Sequence, residues 1–544
     1  MNQNARQKTI MILGAGTMQI PALTTAKKKL WRVIAMDGSP TAPGANLADI
    51  FEPVDLKDTE TLLERARHYK ETSGLDGVFT AGTDFSVSVA FIAENLGLPG
   101  IPVEIAQNAT NKTRMRQLFA RHGVPSPVSI SCGADGLDKL SRFPGSFPVV
   151  VKPVDNMGAR GVQMIDDPAA LKAACEKALR YSRLGEVIIE EFIPGSEFSV
   201  DALIYKGRVH ACGIADRHIY FPPFFVELGH TFPSCADKKI LDDVEEVFRC
   251  GIKALGIDNG AAKGDIFHTG KTAVAGEIAA RLSGGYMSGW TCPYAFGVDI
   301  TAAAMDIAMG LPPGDLTPQR AWTSAERAFI SIPGKAAGIF GLDEALDTPG
   351  VQDIFTRAEA GAPVKFPENN VEKCGNVITA LPDRGGAILS AEKAVSSIVI
   401  RLEPGNSETA AFLFGPRPDW QPPAFSLPES LTRCVESLPA YLLPNTIEKT
   451  FSLGGFSLVA LDCTEAETLT DWNHRGLDAS LQSLELLRKD SSLPAWAQSL
   501  VLGGVFWQAL IRGGVQGALW VLDTLEQEKT AENVEERIKA WLHI

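Results

Sequence analysis

Pro148-Val149-Val150-Val151-Lys152-Pro153 opens the stretch that decides how this chain is read. An apolar, β-branched run closing on one lysine predicts a buried strand with a cation at its end. Six residues after that lysine comes Gly158-Ala159-Arg160-Gly161-Val162, two glycines around an arginine. Glycine admits backbone conformations that side chains exclude, and bare N–H groups there can approach phosphate oxygens. Val187-Ile188-Ile189 predicts a second buried strand, running into Glu190-Glu191-Phe192-Ile193-Pro194-Gly195-Ser196-Glu197. The backbone of such an acidic–apolar segment can meet adenine, and its carboxylate can meet ribose hydroxyls. Lysine, glycine loop, hinge and carboxylate, in that order, suit a nucleoside triphosphate.

This order resembles the ATP-grasp superfamily, in which two α+β subdomains close on ATP, and the resemblance covers about residues 105–305. It implies that Lys112 and Lys152 contact ATP, with Gly158, Ala159, Arg160, Gly161 and Val162 as the phosphate lid. Glu190, Glu191 and Ile193 then fall on the adenine hinge and Glu197 on the ribose. Asp265 and Glu277 match the magnesium carboxylates. Arg281, four residues after Glu277, matches the arginine facing the reacting carboxylate or acyl phosphate. With the Ser283-Gly284-Gly285 turn it would hold acyl-phosphate oxygens, since a guanidinium fork fits both carboxylate and phosphate. ATP and Mg2+, or Mn2+ in its place, are the cofactors implied. The chain departs from the wider pattern at Ala279, where an asparagine usually helps hold a second magnesium. Phosphate oxygens and waters would then complete the octahedral coordination that magnesium demands.

The residues beside these motifs add a second layer. Gly260 to Ala275 reads as a hairpin turning at His268-Thr269-Gly270-Lys271, which brings Asp265 and Glu277 together. Two carboxylates at the inward ends of paired strands are costly without a cation between them. The aromatic, Pro-rich run from Asp216 to His230 ends in Glu227-Leu228-Gly229-His230. Aromatic walls with a carboxylate and an imidazole can cup a small amino acid and bind its ammonium. Glu-x-Gly-His followed by Pro-Ser resembles the bacterial L-amino-acid (dipeptide) ligases within the superfamily. That likeness implies substrate-binding and catalytic roles for Glu227 and His230, beside Arg281.

Composition sets outer limits. At 544 residues, the length predicts three or four domains. A formal charge of −14 opposes a nucleic-acid surface, which needs a dense basic footprint. Nine scattered cysteines with no Cys-x-x-Cys pair read as reduced thiols of a cytoplasmic protein. No secretory h-region precedes Gly14, and the apolar region Ser499–Leu525 is interrupted by Gln508, Arg512, Gln516 and Asp523. A membrane helix needs about 18 or more largely uncharged residues, so that region predicts a core-facing helix.

The expected fold is a multidomain α/β and α+β chain. Residues 1–104 read as a Rossmann-like preceding domain: Thr9–Leu13, Gly14-Ala15-Gly16 and a helix, then a strand ending on Asp37. Gln19 stands where a third glycine would complete a dinucleotide fingerprint, which weakens that reading. Thr80-Ala81-Gly82-Thr83-Asp84 is a candidate cleft edge. Residues 105–310 form the two-subdomain ATP cleft, with the lid at about 125–193. A small β-rich closing domain follows at 311–403, then a Pro- and Gly-rich linker at 404–428. A mostly helical region at 429–544, read as a scaffold or homo-oligomer interface, ends the chain.

The function expected is an ATP-dependent carboxylate–amine ligase acting on small-molecule acids and amines, amino acids above all, with no nucleic-acid or membrane partner. Two rivals share its ATP residues. One is a bicarbonate-activating enzyme of the carbamoyl-phosphate or biotin-carboxylase type; the other is a non-catalytic ATP-binding scaffold.

Overall fold

The computed structural model describes residues 6–137, 143, 145–447, 449–461, 469–491 and 494–543. They form two compact units. One comprises the chain up to Ile219 with Pro223–Glu326 and Ala380–Ala387, the other Tyr220–Pro222, Arg327–Thr379 and Ile388 onward.

The first unit opens with a parallel sheet ordered Ile50–Pro53, Arg32–Asp37, Thr9–Leu13, Leu75–Phe79. Every side chain of Thr9–Leu13 is buried, as in a strand covered on both faces. Local signals bound the helices between. Asp58 accepts from the Thr61 amide at the start of Thr59–Ser73, and Gly74 closes that helix in the left-handed conformation. Gly14 and Gly16 do open a strand-to-helix turn. Asp37, however, accepts the Ala15 amide at 2.8 Å, and Gln19 lies so close over Gly14 that a Cβ there would meet its Cδ at 2.8 Å. The glutamine fills the room a dinucleotide phosphate would need.

Two antiparallel layers follow. The lid sheet is ordered Ser129–Gly133, Glu186–Glu191, Val149–Pro153, Gln163–Ile165. It packs with the helix Leu171–Leu179 around Val149, Val151, Ile165, Cys175, Val187 and Ile189. The second layer runs Ala273–Ala279, Gly260–His268, Ser196–Tyr205, Arg208–Tyr220, Val226–Phe232. Phe119, Phe248, Ile252 and Ile278 share its core with the helices Lys112–His122 and Lys238–Leu255. Asn111 caps the helix Lys112–His122, which buries Lys112, Met115, Arg116 and Phe119. These lie at i, i+3, i+4 and i+7, the inward stripe of an amphipathic helix. Two of the four are cations.

In the second unit, Gly334–Phe340 pairs with Pro363–Val364 and Val399–Leu402, and Val351–Thr356 pairs antiparallel with Gly375–Leu381. A helix, Arg384–Ser397, stands among these strands. Residues 404–428 are not a plain linker. Asn406 caps a helix Ser407–Phe414, and Phe412, Leu413 and Phe425 are buried. The prolines and glycines that suggested a linker flank this short apolar helix. The apolar region near the end forms the helix Gly504–Glu526, broken at Gly514 (φ 61°, ψ −155°). Its buried Asp523 receives Arg401 and Arg488. A small sheet of Tyr441–Leu442, Val501–Leu502, Phe456–Val459 and Thr450–Leu453 accompanies these helices. Strands of two to four residues carry no readable period. Among the described residues no helix is long and apolar enough to cross a membrane.

Candidate active site

Lys152 ends its strand as the sequence predicts, and its Nζ lies 2.5 Å from Glu190 Oε2 on the neighbouring strand. Arg116 Nε reaches the other oxygen of Glu190 at 2.8 Å. Burial would push the Glu190 carboxyl up, but Arg116 and Lys152 outweigh it and hold it at about 2. Burial, with Arg116 and Lys112 nearby, lowers Lys152 in spite of Glu190. Glu190 thus serves the lysine, and its backbone lies between two paired strands, opposite Ser129 on one side and Val150 on the other. Glu191 turns toward the Val128 amide, its own N–H donating to the Val128 carbonyl at 2.9 Å. Ile193 is half-buried in the connection to the strand Ser196–Tyr205.

Lys112 docks the start of its helix onto the end of the lid strand. Its backbone N–H donates to the Val154 carbonyl, and its Nζ donates to the Asn156 carbonyl, both at 2.9 Å. The same Nζ lies 3.4 Å from Glu277 Oε1. The loop Gly158–Val162 holds left-handed backbone at Gly158, Ala159 and Gly161. A Cβ on Gly161 would collide with the Tyr181 ring at 2.7 Å, so glycine is required there twice over.

Asp265 and Glu277 face each other in register across the antiparallel pair Gly260–His268 and Ala273–Ala279. Burial opposes charge on Asp265, yet Arg217 and Lys263 hold its pKa at about 2. Glu277 is also lowered, against burial, by Lys112 and Lys263. Two ionised carboxylates side by side offer hard oxygen donors, which fits Mg2+ or Mn2+. No cluster of three or more metal-type side chains occurs among the described residues. Phosphate oxygens and waters would therefore supply the remaining ligands, in keeping with Ala279.

Glu197 and Glu227 join this group through Arg217, which the sequence reading did not single out. Its guanidinium ion-pairs with Glu197, with Glu227 at 2.7 Å and with Asp265 at 2.8 Å. Lys263 also pairs with Asp265. Position carries part of the signal: Lys263 is two residues before Asp265 on one strand face, and Arg116 is one helical turn after Lys112. Arg217, inside an aromatic run, carries none.

Arg281 Nη1 donates to the Leu282 carbonyl at 3.0 Å. Asp201 Oδ1 accepts the Ser283 amide at 2.9 Å. Among the described residues Arg281 Nε, Ser283 Oγ and Asp201 Oδ2 are buried without a hydrogen-bond partner. Buried polar atoms are seldom left so; Arg281 Nε and Ser283 Oγ are donors that an anion could satisfy, whereas Asp201 Oδ2 is an acceptor and could not be satisfied by one. Burial raises Asp201 to about 6. Gly285 and Tyr286 carry left-handed backbone, and a Cβ on Gly284 would stand 3.1 Å from the Gly82 carbonyl oxygen. The Thr80–Asp84 loop therefore abuts this turn.

His230 is held by Glu326 and Thr291. Its Nδ1 meets Glu326 Oε2 at 3.2 Å and its Nε2 meets Thr291 Oγ1 at 2.7 Å, all three residues buried. Glu227 and His230 are three apart on the strand Val226–Phe232. Strand side chains alternate, so odd spacing sends them to opposite faces.

Residues 145–289 match the ATP-grasp domain. The chain carries an ATP-grasp domain. Residues 328–403 match the L-amino acid ligase C-terminal domain 2. The chain is 27% identical over 357 residues to the uncharacterized protein y4rH of Sinorhizobium fredii, covering 64% of this chain and 73% of that one. To carnosine synthase 1 of Gallus gallus it is 28% identical over 337 residues, 56% of this chain but only 36% of the relative. The chain thus spans little more than a third of that enzyme. The crystal structure of L-amino acid ligase from Bacillus licheniformis superposes with a TM-score of 0.64 at 22% identity, over 74% of this chain and 100% of that one. That likeness is one of fold.

Proposed function

We propose that this ATP-grasp protein is a carboxylate–amine ligase that joins two small molecules, with an amino acid on at least one side, through an acyl phosphate. The observation that carries this is the gathering of Lys112, Lys152, Arg217 and Lys263 around Glu190, Asp265 and Glu277, in contacts of 3.4 Å or less. The L-amino acid ligase C-terminal domain and the carnosine synthase relatives point to amino-acid substrates.

ATP is the first substrate. Lys112, Lys152 and the Gly158–Val162 loop neutralise its phosphates, and Glu197 takes the ribose. A divalent cation, which Asp265 and Glu277 would hold, would supply neutralisation of the charge on the transferring phosphoryl group. Arg281 and the Ser283–Gly285 turn hold the carboxylate that accepts the γ-phosphoryl group, then the acyl-phosphate oxygens. Glu227 faces the ammonium side. An amine attacks the acyl carbon, the C–O bond to phosphate breaks, and amide, ADP and phosphate leave. Phosphoryl transfer of this kind needs positioning and charge neutralisation more than a protein nucleophile.

The test is a phosphate-release screen of amino-acid pairs with MgATP, with mass spectrometry of products and a bicarbonate arm. An amide product with matching ADP is expected. ATP cleavage that depends on bicarbonate and yields no amide would replace this reading.

A further inference from the structure

Ten charged side chains of the site meet in three sets of ion pairs, and the largest joins Arg217 and Lys263 to Glu197, Glu227 and Asp265. Lys112, Arg116, Lys152, Arg217 and Lys263 pair with Glu190, Glu197, Glu227, Asp265 and Glu277, five cations to five carboxylates. Arg217 ties together parts that the proposed chemistry assigns to different ligands. Its Nη1 is shared between Glu197, on the ribose side, and Asp265, on the metal side; its Nη2 meets Glu227, on the substrate side. The guanidinium is one-tenth exposed, and the three carboxylates come from three different strands.

We propose that Arg217 is a positioning residue that holds the divalent cation's place at Asp265 until nucleotide arrives, so that metal and triphosphate enter the site together. The inference rests on the ATP-dependent reading above. A divalent ion binding Asp265 must displace the guanidinium from one carboxylate oxygen, and it enters beside Lys263 on the other, against positive charge already in place. Charge imbalance among partly buried groups is expensive, because little water screens it. An arriving triphosphate removes both penalties. It brings negative charge, and its oxygens offer the guanidinium a bidentate partner in place of the carboxylate. Metal and nucleotide must then tighten each other's binding by the same factor.

The experiment follows Mn2+ binding to the full chain by electron paramagnetic resonance. Wild type is measured with and without a non-hydrolysable ATP analogue; Arg217→Met and Arg217→Lys are measured without it. The analogue should tighten Mn2+ on wild type by about tenfold or more, within the usual range of such coupling. Arg217→Met should tighten nucleotide-free Mn2+ binding by about tenfold, whereas Arg217→Lys, which keeps the charge, should stay near wild type. A residue that only supports the fold would weaken metal binding when removed, so the sign of the change is the discriminating readout. Mn2+ bound no more tightly by Arg217→Met than by wild type overturns the inference. Should that variant fail to fold by circular dichroism, the wild type decides: equal Mn2+ affinity with and without analogue overturns the inference equally. No Mn2+ uptake by wild type even with the analogue removes the ATP reading and the inference together. Coupling in wild type without a gain in Arg217→Met removes only the role of Arg217.

Discussion

Asp265 and Glu277 stand directly opposite one another on adjacent antiparallel strands, and each already has a cation beside it: Lys263 and Arg217 at Asp265, Lys112 at Glu277. Carboxylates placed this way suit a divalent cation. Asp265→Asn keeps the shape and loses the charge, so turnover with MgATP should fall by about 100-fold or more, as expected when charge stabilisation in a phosphoryl transfer is removed. A variant within threefold of wild type would remove Asp265 from the chemistry.

Arg281 and the turn after it are expected to act after ATP has bound. Arg281→Ala should keep nucleotide affinity within about threefold while product formation falls by about 100-fold or more, the loss typical of one oxyanion-type contact. Equilibrium binding of a fluorescent ATP analogue, set beside an amide-product assay, separates the two effects. Parallel loss of both would place Arg281 in the nucleotide site instead.

Glu190 predicts a stability effect with a definite sign. Its carboxyl titrates at about 2 in the fold against an ordinary 4.5. The unfolded chain therefore takes up a proton first, and the stabilisation is complete above pH 4.5 and lost as pH falls toward 2. The shift corresponds to about 3 kcal/mol. Glu190→Gln should cost about that much in urea unfolding at pH 7, and the gap to wild type should close below pH 4.5. An equal gap at every pH would show that charge is not what Glu190 contributes.

Asp201 carries the opposite sign. Burial raises it to about 6 from 3.8, so the folded state binds the proton more tightly. Wild type should lose about 3 kcal/mol of stability on this group as pH rises from 3.8 to 6, then change no further. Asp201→Asn keeps an acceptor for the Ser283 amide and lacks the titration, so it should gain on wild type across that interval. Parallel stability curves for the two proteins would contradict the assignment.

The parts of the site readable in sequence were those with local grammar. Lys152 closes an apolar run, Gly158 and Gly161 mark a turn that admits no Cβ, and the Gly260–Ala275 hairpin sets Asp265 against Glu277. What escaped depends on which side chains meet once distant strands are laid side by side. Arg217 finds Glu197, Glu227 and Asp265 only because three strands from separate stretches adjoin, and no spacing announces that. Proximity in sequence sets His230 beside Glu227, whereas their odd spacing on the strand Val226–Phe232 sends the two side chains to opposite faces. The helix Ser407–Phe414 was hidden by the prolines and glycines on either side of it.

An acyl-phosphate route requires that the acid's own oxygen leave on phosphate. With an amino-acid pair that supports turnover, the carboxylate of the activated partner is labelled with 18O and the released phosphate is analysed by mass spectrometry. One labelled oxygen per phosphate, with ADP as the nucleotide product, is the predicted result. Unlabelled phosphate, or AMP and pyrophosphate in place of ADP, would contradict it.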